Sequence, residues 1–187
     1  MKPRVGISRC LLGDDVRYDG TNKRSRAVMA LGDVVEWVPV CPEVEVGMSV
    51  PREPIQLVAR TVRIRSADER VRLQGVHSGE DWTVRMRYWA RDRVEELSAQ
   101  GISGFILKAR SPSCGPAGVL VHYPDRDATP TGRGLFAEAL AAAMPGLPMV
   151  DEETLEDSRA RDEFIARVRD FADPKGPRRS GTARTSR

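Results

Sequence analysis

The sequence predicts a single-domain α/β protein in which helices cover both faces of a mostly parallel sheet. Short apolar segments alternate with helical segments along the chain, and this alternation is typical of parallel sheets. The length of 187 residues suffices for one packed domain and is too short for two ordinary ones. No apolar run approaches the roughly 20 residues that span a membrane. The start of the chain also lacks a signal-peptide core, so we expect a cytoplasmic protein without a membrane partner.

Three strands and one short helix are predicted in the first half of the chain. Residues 4–8 form a short apolar segment and residues 34–40 are rich in valine, so each segment predicts a strand. A helix over residues 25–31 separates these two strands. Residues 55–64 alternate imperfectly between apolar and polar side chains. Together with residues 71–73, they predict a strand or a hairpin at a sheet edge.

A long amphipathic helix is predicted after Asp81, which is the expected N-cap residue. Apolar side chains then recur at helical spacing until Gly101 ends the segment. The remaining predicted elements are strands over residues 104–107, 119–123 and 147–150, and helices over residues 135–144 and 155–171. Helices on both faces of one sheet make this a three-layer α/β/α, Rossmann-like architecture.

The last segment, residues 173–187, is predicted to be a disordered basic C-terminal tail that follows a folded domain over residues 1–172. It holds five basic residues and one acidic residue, so the basic excess of a chain with net charge +3 resides there. Its few apolar side chains cannot offset the entropy of ordering it. Such a tail is able to contact nucleic-acid phosphates, although a short basic terminus is more commonly only solvated. The sequence carries no signal for an oligomeric state.

Three cysteines, Cys10, Cys41 and Cys114, each follow a predicted strand. Their odd number and wide spacing argue against a disulfide framework. Taken singly, each could be a small buried apolar residue. The carboxyl ends of parallel strands meet at one edge, where ligands bind, so we expect the three thiols to converge. Two centres suit three thiolates: a zinc ion with an open position for water, or an iron–sulfur cluster with one iron lacking a protein ligand.

Five segments occur in order along the chain: SRCLLGDDVRYDGTNK, CPEVEVGMSVPREP, GEDWT, LKARSPSCG and GRGLFAEAL. Together, between Ser8 and Glu153, they resemble the bacterial family that contains the 2-thiouracil desulfidases, formerly a domain of unknown function. The resemblance implies a [4Fe-4S] cluster held by Cys10, Cys41 and Cys114, with one open iron. It also implies a small-molecule thiobase substrate, 2-thiouracil or a related thiopyrimidine. The thiocarbonyl would become a carbonyl and hydrogen sulfide would leave, without net redox change.

Such a reaction needs a group that carries protons, and Glu43, close to the second cysteine, is the candidate. Its alternative role is to cap the turn that follows. Ser111 and Ser113 flank a proline, and either hydroxyl could hold a substrate heteroatom or the departing sulfide; loop hydrogen bonding is the alternative, and we favour Ser111. Arg52 and Lys108 could anchor an anionic or carbonyl-bearing ligand, or offset the negative charge of a cluster.

Two other functions are compatible with the same residues. A zinc-dependent hydrolase would use the three thiolates as ligands of a single ion. A non-catalytic iron–sulfur sensor or an RNA-associated protein would use the cluster for signalling and the basic tail for binding. Metal content separates iron from zinc, and turnover of a thiobase separates an enzyme from a sensor.

Overall fold

A computed structural model describes residues 1–60 and 71–173 of the chain. The strands are β1 (Arg4–Ser8), β2 (Glu36–Val40), β3 (Ile55–Ala59), β4 (Val71–Gly75), β5 (Ile102–Leu107), β6 (Val119–His122), β7 (Thr129–Gly132) and β8 (Met149–Asp151). The helices are α1 (Arg26–Met29), α2 (Pro42–Glu45), α3 (Thr83–Ala99), α4 (Leu135–Ala143) and α5 (Ser158–Ala172). Short 3-10 turns cover Arg9–Leu11 and Thr154–Glu156.

Within these described residues, one sheet is parallel throughout and has the strand order β2-β1-β5-β8. Helices α1 and α5 pack on one face of it, where Ile106 meets Val168 in a common core. Helices α3 and α4 pack on the other face, where Phe105 meets Phe136 edge to face at 5.4 Å between ring centroids. Every residue of β5 is buried, as expected for a central parallel strand. The single-domain, three-layer α/β prediction is confirmed.

A second sheet, which the sequence indicated only in part, has the order β4-β3-β6-β7 among the described residues. Strands β3 and β4 form the antiparallel hairpin predicted for this region, although residues 61–64 of that prediction lie outside the described residues. The hairpin pairs with β6 rather than with the edge of the parallel sheet. Leu57 and Val121 on its inner face pack against Met86 of α3 and Leu135 of α4.

The predicted helices differ from the observed ones mainly at their ends. Helix α3 begins at Thr83, and its N-cap residue is Trp82 rather than the predicted Asp81; Asp81 lies one residue earlier and its Oδ1 accepts from the backbone N–H of Thr83 at 2.9 Å. Helix α5 begins at Ser158, because Asp157 accepts a hydrogen bond from the N–H of Arg159 and the preceding residues form a 3-10 turn. Such shifts arise because caps, rather than periodicity, set where a helix starts.

The C-terminal segment predicted as a tail lies outside the described residues apart from Asp173, and its disorder stays a prediction. In the part of the chain that the structure describes, no helix combines the length and the apolar character needed to cross a bilayer.

Candidate functional site

The three cysteines meet at the carboxyl edge of the parallel sheet. Ser8 at the end of β1 pairs with Val40 at the end of β2, and β5 lies on the other side of β1, so the three following loops are neighbours. Cys10 lies in the 3-10 turn after β1, Cys41 directly follows β2, and Cys114 lies in the loop after β5. All three thiols are buried and line one cavity of about 290 Å³.

Burial raises the pKa of all three thiols in the metal-free protein. The pKa of Cys10 is raised to about 12, first by burial and then by the charge of Cys41, while Lys108 partly opposes the shift. Burial also raises the pKa of Cys41, and it raises that of Cys114 well above its usual range, with further contributions from both other cysteines. Cys41 contributes to the raised pKa of Cys10, and both contribute to that of Cys114, so the three thiols lie within electrostatic reach. Metal binding would release their protons.

The donor set consists of soft sulfur atoms presented from separate loops. Within residues 1–60 and 71–173, no three Cys, His, Asp or Glu side chains lie close enough together to share one metal ion. The three thiols face a common cavity instead, and His77 and His122 are not among its lining residues. Thiolates are the usual ligands of iron–sulfur clusters and of zinc. The residues present therefore fit a thiolate-bound cofactor that fills the cavity between the loops.

The loop that carries Cys114 is fastened to the start of α4. The backbone N–H groups of Leu135 and Phe136 donate to the carbonyls of Pro112 and Ser113, at 3.2 and 3.0 Å. These are helix N-terminal donors without partners inside the helix. The hydroxyl oxygen of Ser111 accepts from the N–H groups of Ser113 and Cys114, at 3.3 and 3.1 Å. The hydroxyl of Ser111 and the first residues of α4 thus hold the loop in its conformation.

Gly134, at the N-cap of α4, comes too close to this loop to carry a side chain. A Cβ atom there would lie 2.5 Å from the carbonyl carbon of Ser113 and 2.7 Å from the backbone nitrogen of Cys114. We expect Gly134→Ala to lower the free energy of unfolding by about 1–3 kcal/mol and to speed alkylation of Cys114 in metal-free protein. Urea denaturation and mass spectrometry measure the two effects.

Gly32→Ala is the matched control, because the nearest atom to its new Cβ would be 3.3 Å away. It should leave both the stability and the alkylation rate close to wild type. Equal behaviour of the two alanine variants would contradict the tight packing of Gly134 on the Cys114 loop.

Glu43 reaches the cavity from the short helix α2. Its Oε1 accepts a hydrogen bond from the hydroxyl of Ser113 at 3.0 Å, and its Oε2 accepts from Arg52 Nε at 2.9 Å. The capping role that we considered for Glu43 is performed by Glu45, whose Oε1 accepts from the N–H of Cys41 at 2.9 Å. The Glu43 carboxylate is therefore free of the helix backbone and is held by side chains.

The two predicted serines occupy different positions. Ser111 lines the cavity, whereas Ser113 is 0% exposed and lies behind it, with its hydroxyl on Glu43. The structure thus brings Glu43, Ser113 and the three cysteines together. Of the two serines, Ser111 is the one among the residues that line the cavity.

Many charged side chains surround the cavity. Six cationic side chains line it, together with the carboxylate of Glu43: Arg9, Arg17, Lys23, Arg52, Lys108 and Arg110. Five of the six form ion pairs with carboxylates, which offset most of their positive charge. Lys108 is engaged by the carboxylate of Glu152, which also accepts from the N–H of Ala109 at 2.7 Å. Sequence reasoning missed Glu152, because it lies 44 residues from its partner and no local pattern marks it.

Comparison with known proteins supports one family. The family model described as 2-thiouracil desulfurase matches residues 5–152 and so spans all three cysteines, both serines and both carboxylates of the site. The chain belongs to the 2-thiouracil desulfurase family. The resemblance found in the five sequence segments is thereby confirmed. The matched region includes the strands of the parallel sheet and the loops that carry the cysteines.

Two relatives show the same family relationship. A solved structure of a [4Fe-4S]-dependent thiouracil desulfidase, TudS, is similar, with a TM-score of 0.64 and 30% identity, and the match covers 87% of this chain and 99% of that chain. The uncharacterized protein YbbK of Bacillus subtilis (strain 168) is 31% identical over 152 residues, which are 81% of this chain and 97% of that protein. As a member of the 2-thiouracil desulfurase family, this chain shares the α/β fold of a [4Fe-4S]-dependent relative.

Proposed function

We propose that this protein is a [4Fe-4S]-dependent desulfidase that removes sulfur from a thiocarbonyl compound, with 2-thiouracil or a related thiopyrimidine as its substrate. Thiocarbonyl and water give carbonyl and hydrogen sulfide, so atoms and electrons balance without an oxidant or a reductant. The observation that carries the proposal is the convergence of three buried thiols on one cavity that Glu43 also lines. Family membership and the TudS neighbour support the same reaction class.

Cys10, Cys41 and Cys114 would hold the cluster. Their soft sulfur donors, their burial and their shared cavity suit an iron–sulfur cofactor. When bound by three cysteines, such a cluster supplies an iron without a protein ligand, which acts as a soft Lewis acid toward substrate sulfur. We place the enzyme in the cytosol, where reducing conditions keep three free thiols available for this cofactor.

Glu43 would carry the protons of the reaction. Water loses a proton as it attacks carbon, and sulfur must gain protons as it leaves. The Glu43 carboxylate borders the cavity, and the hydroxyl of Ser113 fixes its Oε1. A carboxylate held in this way can accept a proton from water and return it to the leaving group without reorienting.

Ser111 would hold the substrate. Its oxygen already accepts two backbone N–H groups, so its lone pairs are occupied and its hydroxyl proton is available to donate into the cavity. A heteroatom of a thiobase ring is a suitable acceptor. Ser113 would act through Glu43 rather than on the substrate, because it is fully buried behind the cavity wall.

The test is the content of iron, sulfide and zinc per chain in protein purified without air, followed by turnover of 2-thiouracil. We expect a brown protein with about four irons and four sulfides per chain, and release of sulfide and uracil in equal amounts. Colourless protein that contains zinc would favour the hydrolase. A full cluster without turnover of any thiobase would favour the sensor. Either result would overturn the proposal.

Removing residues 173–187 tests whether the basic tail takes part in this function. Because the site lies wholly within residues 8–152, we expect the truncated protein to retain its iron content and its rate of sulfide release. Binding to RNA, measured at two salt concentrations, should be weak for both proteins. Loss of activity together with the cluster on truncation would contradict the division into a catalytic domain and a dispensable tail.

A further inference from the structure

Arg52 donates to Oε2 of Glu43, whereas Ser113 donates to Oε1. Its Nε and Nη2 both donate to Glu43 Oε2, at 2.9 and 2.5 Å. Its side chain is 7% exposed and that of Glu43 is 15% exposed, so the pair is largely removed from water. Buried ion pairs with several hydrogen bonds hold their partners in one geometry. The carboxylate is therefore fixed at both oxygens, by an arginine on one and by a serine on the other.

The rest of the Arg52 guanidinium is occupied by backbone carbonyls. Nη1 donates to the carbonyl of Ser49 at 3.1 Å, and Nη2 also donates to that of Val16 at 3.0 Å. Four hydrogen bonds thus engage a group that has five N–H donors. Arg52 lines the cavity, but four of its five N–H donors are committed to protein groups. This observation argues against the role of ligand anchor that the sequence suggested.

The contacts of Arg52 connect the loops of all three cysteines. Val16, whose carbonyl it binds, lies in the loop after Cys10, and the Cys41 thiol lies 3.9 Å from the same carbonyl. The backbone N–H of Arg52 also donates to the carbonyl of Tyr18 in that loop, at 2.8 Å. Glu43 follows Cys41, and its partner Ser113 precedes Cys114. One chain of polar contacts, from Arg52 through Glu43 to Ser113, therefore links the loops of all three cysteines.

We infer that Arg52 is a positioning residue, which holds the Glu43 carboxylate in its reactive orientation and locks it to the loop after Cys10. The inference rests on the proposed function in one respect, because it takes Glu43 as the proton carrier. Loss of the arginine would let the carboxylate rotate, while the thiols and Ser111 would keep their places. The rate of the chemical step would then fall, and substrate binding would change little.

The experiment is a double-mutant cycle with Arg52→Gln and Glu43→Gln, read out by turnover of 2-thiouracil and by iron content. We expect Arg52→Gln to retain its iron and to lower kcat by roughly 10- to 100-fold, the usual effect of losing a residue that orients a functional group, with KM within a few-fold of wild type. In the Glu43→Gln background the same change should have little further effect, because the group that it positions is already lost. Arg52→Lys keeps the charge but loses the fork of donors, so its kcat should lie between those of wild type and Arg52→Gln.

Arg93→Gln is the matched control. Arg93 forms an ion pair at 3.1 Å with Glu45, which lies on the same short helix α2 as Glu43. This pair is partly buried, with side chains 18% and 26% exposed, and Arg93 does not line the cavity. Its kcat should remain within a few-fold of wild type. A higher KM with unchanged kcat in Arg52→Gln would show a substrate-binding arginine and overturn the inference. Additive effects on kcat, or loss of iron in Arg52→Gln, would overturn it as well.

The melting temperature gives a second readout that does not depend on activity. Arg52→Gln should lower it by several degrees in wild type and much less in Glu43→Gln, whereas Arg93→Gln should lower it equally in both backgrounds. Wild-type protein that releases no sulfide would overturn the proposed function. In that case, non-additive changes in melting temperature would still support the Arg52–Glu43 contact. Additive changes would show that the two residues are not coupled.

Discussion

Cys114→Ser is expected to abolish the cluster while leaving the fold intact. The loop of Cys114 is built from hydrogen bonds of Ser111 and from the start of α4, none of which uses the thiol. Serine has nearly the same size, so the packing around this buried position should persist. Its hydroxyl is a poor ligand for iron, and without the third thiolate two iron positions would lack a protein ligand. We expect iron and sulfide to fall from about four per chain to near zero.

The measurement is iron, sulfide and visible absorption of anaerobically prepared protein, with far-ultraviolet circular dichroism to report on the fold. Cys10→Ser and Cys41→Ser should behave in the same way, because all three thiols line one cavity. Full cluster content in any of the three variants would remove that cysteine from the proposed ligand set. The circular dichroism spectrum would reveal an unfolded variant. For the folded variants, chemical reconstitution would then decide whether each cysteine is needed to bind the cluster.

Glu43→Gln is expected to keep the cluster and to lower kcat by a factor of about 100 or more, the usual effect of losing an acid–base group. Glutamine is preferable to alanine here, because its amide oxygen can still accept a hydrogen bond from Arg52, whereas alanine would leave that buried guanidinium without an acceptor at this position. The amide cannot accept the proton of attacking water. Iron content, kcat and KM for 2-thiouracil check the expectation.

Glu45→Gln provides the control for this substitution. Glu45 lies on the same helix, and its carboxylate caps the N–H of Cys41 and pairs with Arg93. Its amide would retain the capping oxygen, so we expect near wild-type turnover and iron content. A similar loss of turnover in both variants would show that the cause is a disturbed helix α2 and not the loss of a proton carrier. Unchanged turnover in Glu43→Gln would give Glu43 a structural role.

The sequence predicted the convergence of the cysteines because that convergence follows from sheet geometry. Strand ends can be recognised locally, from apolar runs that stop at Cys10, Cys41 and the loop before Cys114. Parallel order then brings the ends to one edge. The same reasoning failed for β7, whose sequence Thr-Pro-Thr-Gly has no apolar alternation and which forms only by pairing with β6.

Side-chain partnerships were the part that the sequence could not supply. Ser111 and Ser113 are equivalent by composition, and only the direction of each side chain in the folded loop separates the one in the cavity from the one on Glu43. Arg52 and Glu43 are nine residues apart, and Lys108 and Glu152 are 44 apart. Such contacts depend on loop conformation and on strand order. Neither is encoded in the spacing of the residues concerned.

The way in which the Cys114 loop is fastened also has a consequence for how the protein matures. The first two cysteines belong to the opening part of the chain, but the third is held in place only once α4 has docked its first residues on Pro112 and Ser113. A growing polypeptide therefore has no complete thiol triad until strands β1, β2 and β5 are assembled and α4 has been added. Under the proposed function, iron and sulfide would therefore be bound late, when the carboxyl edge of the sheet is complete.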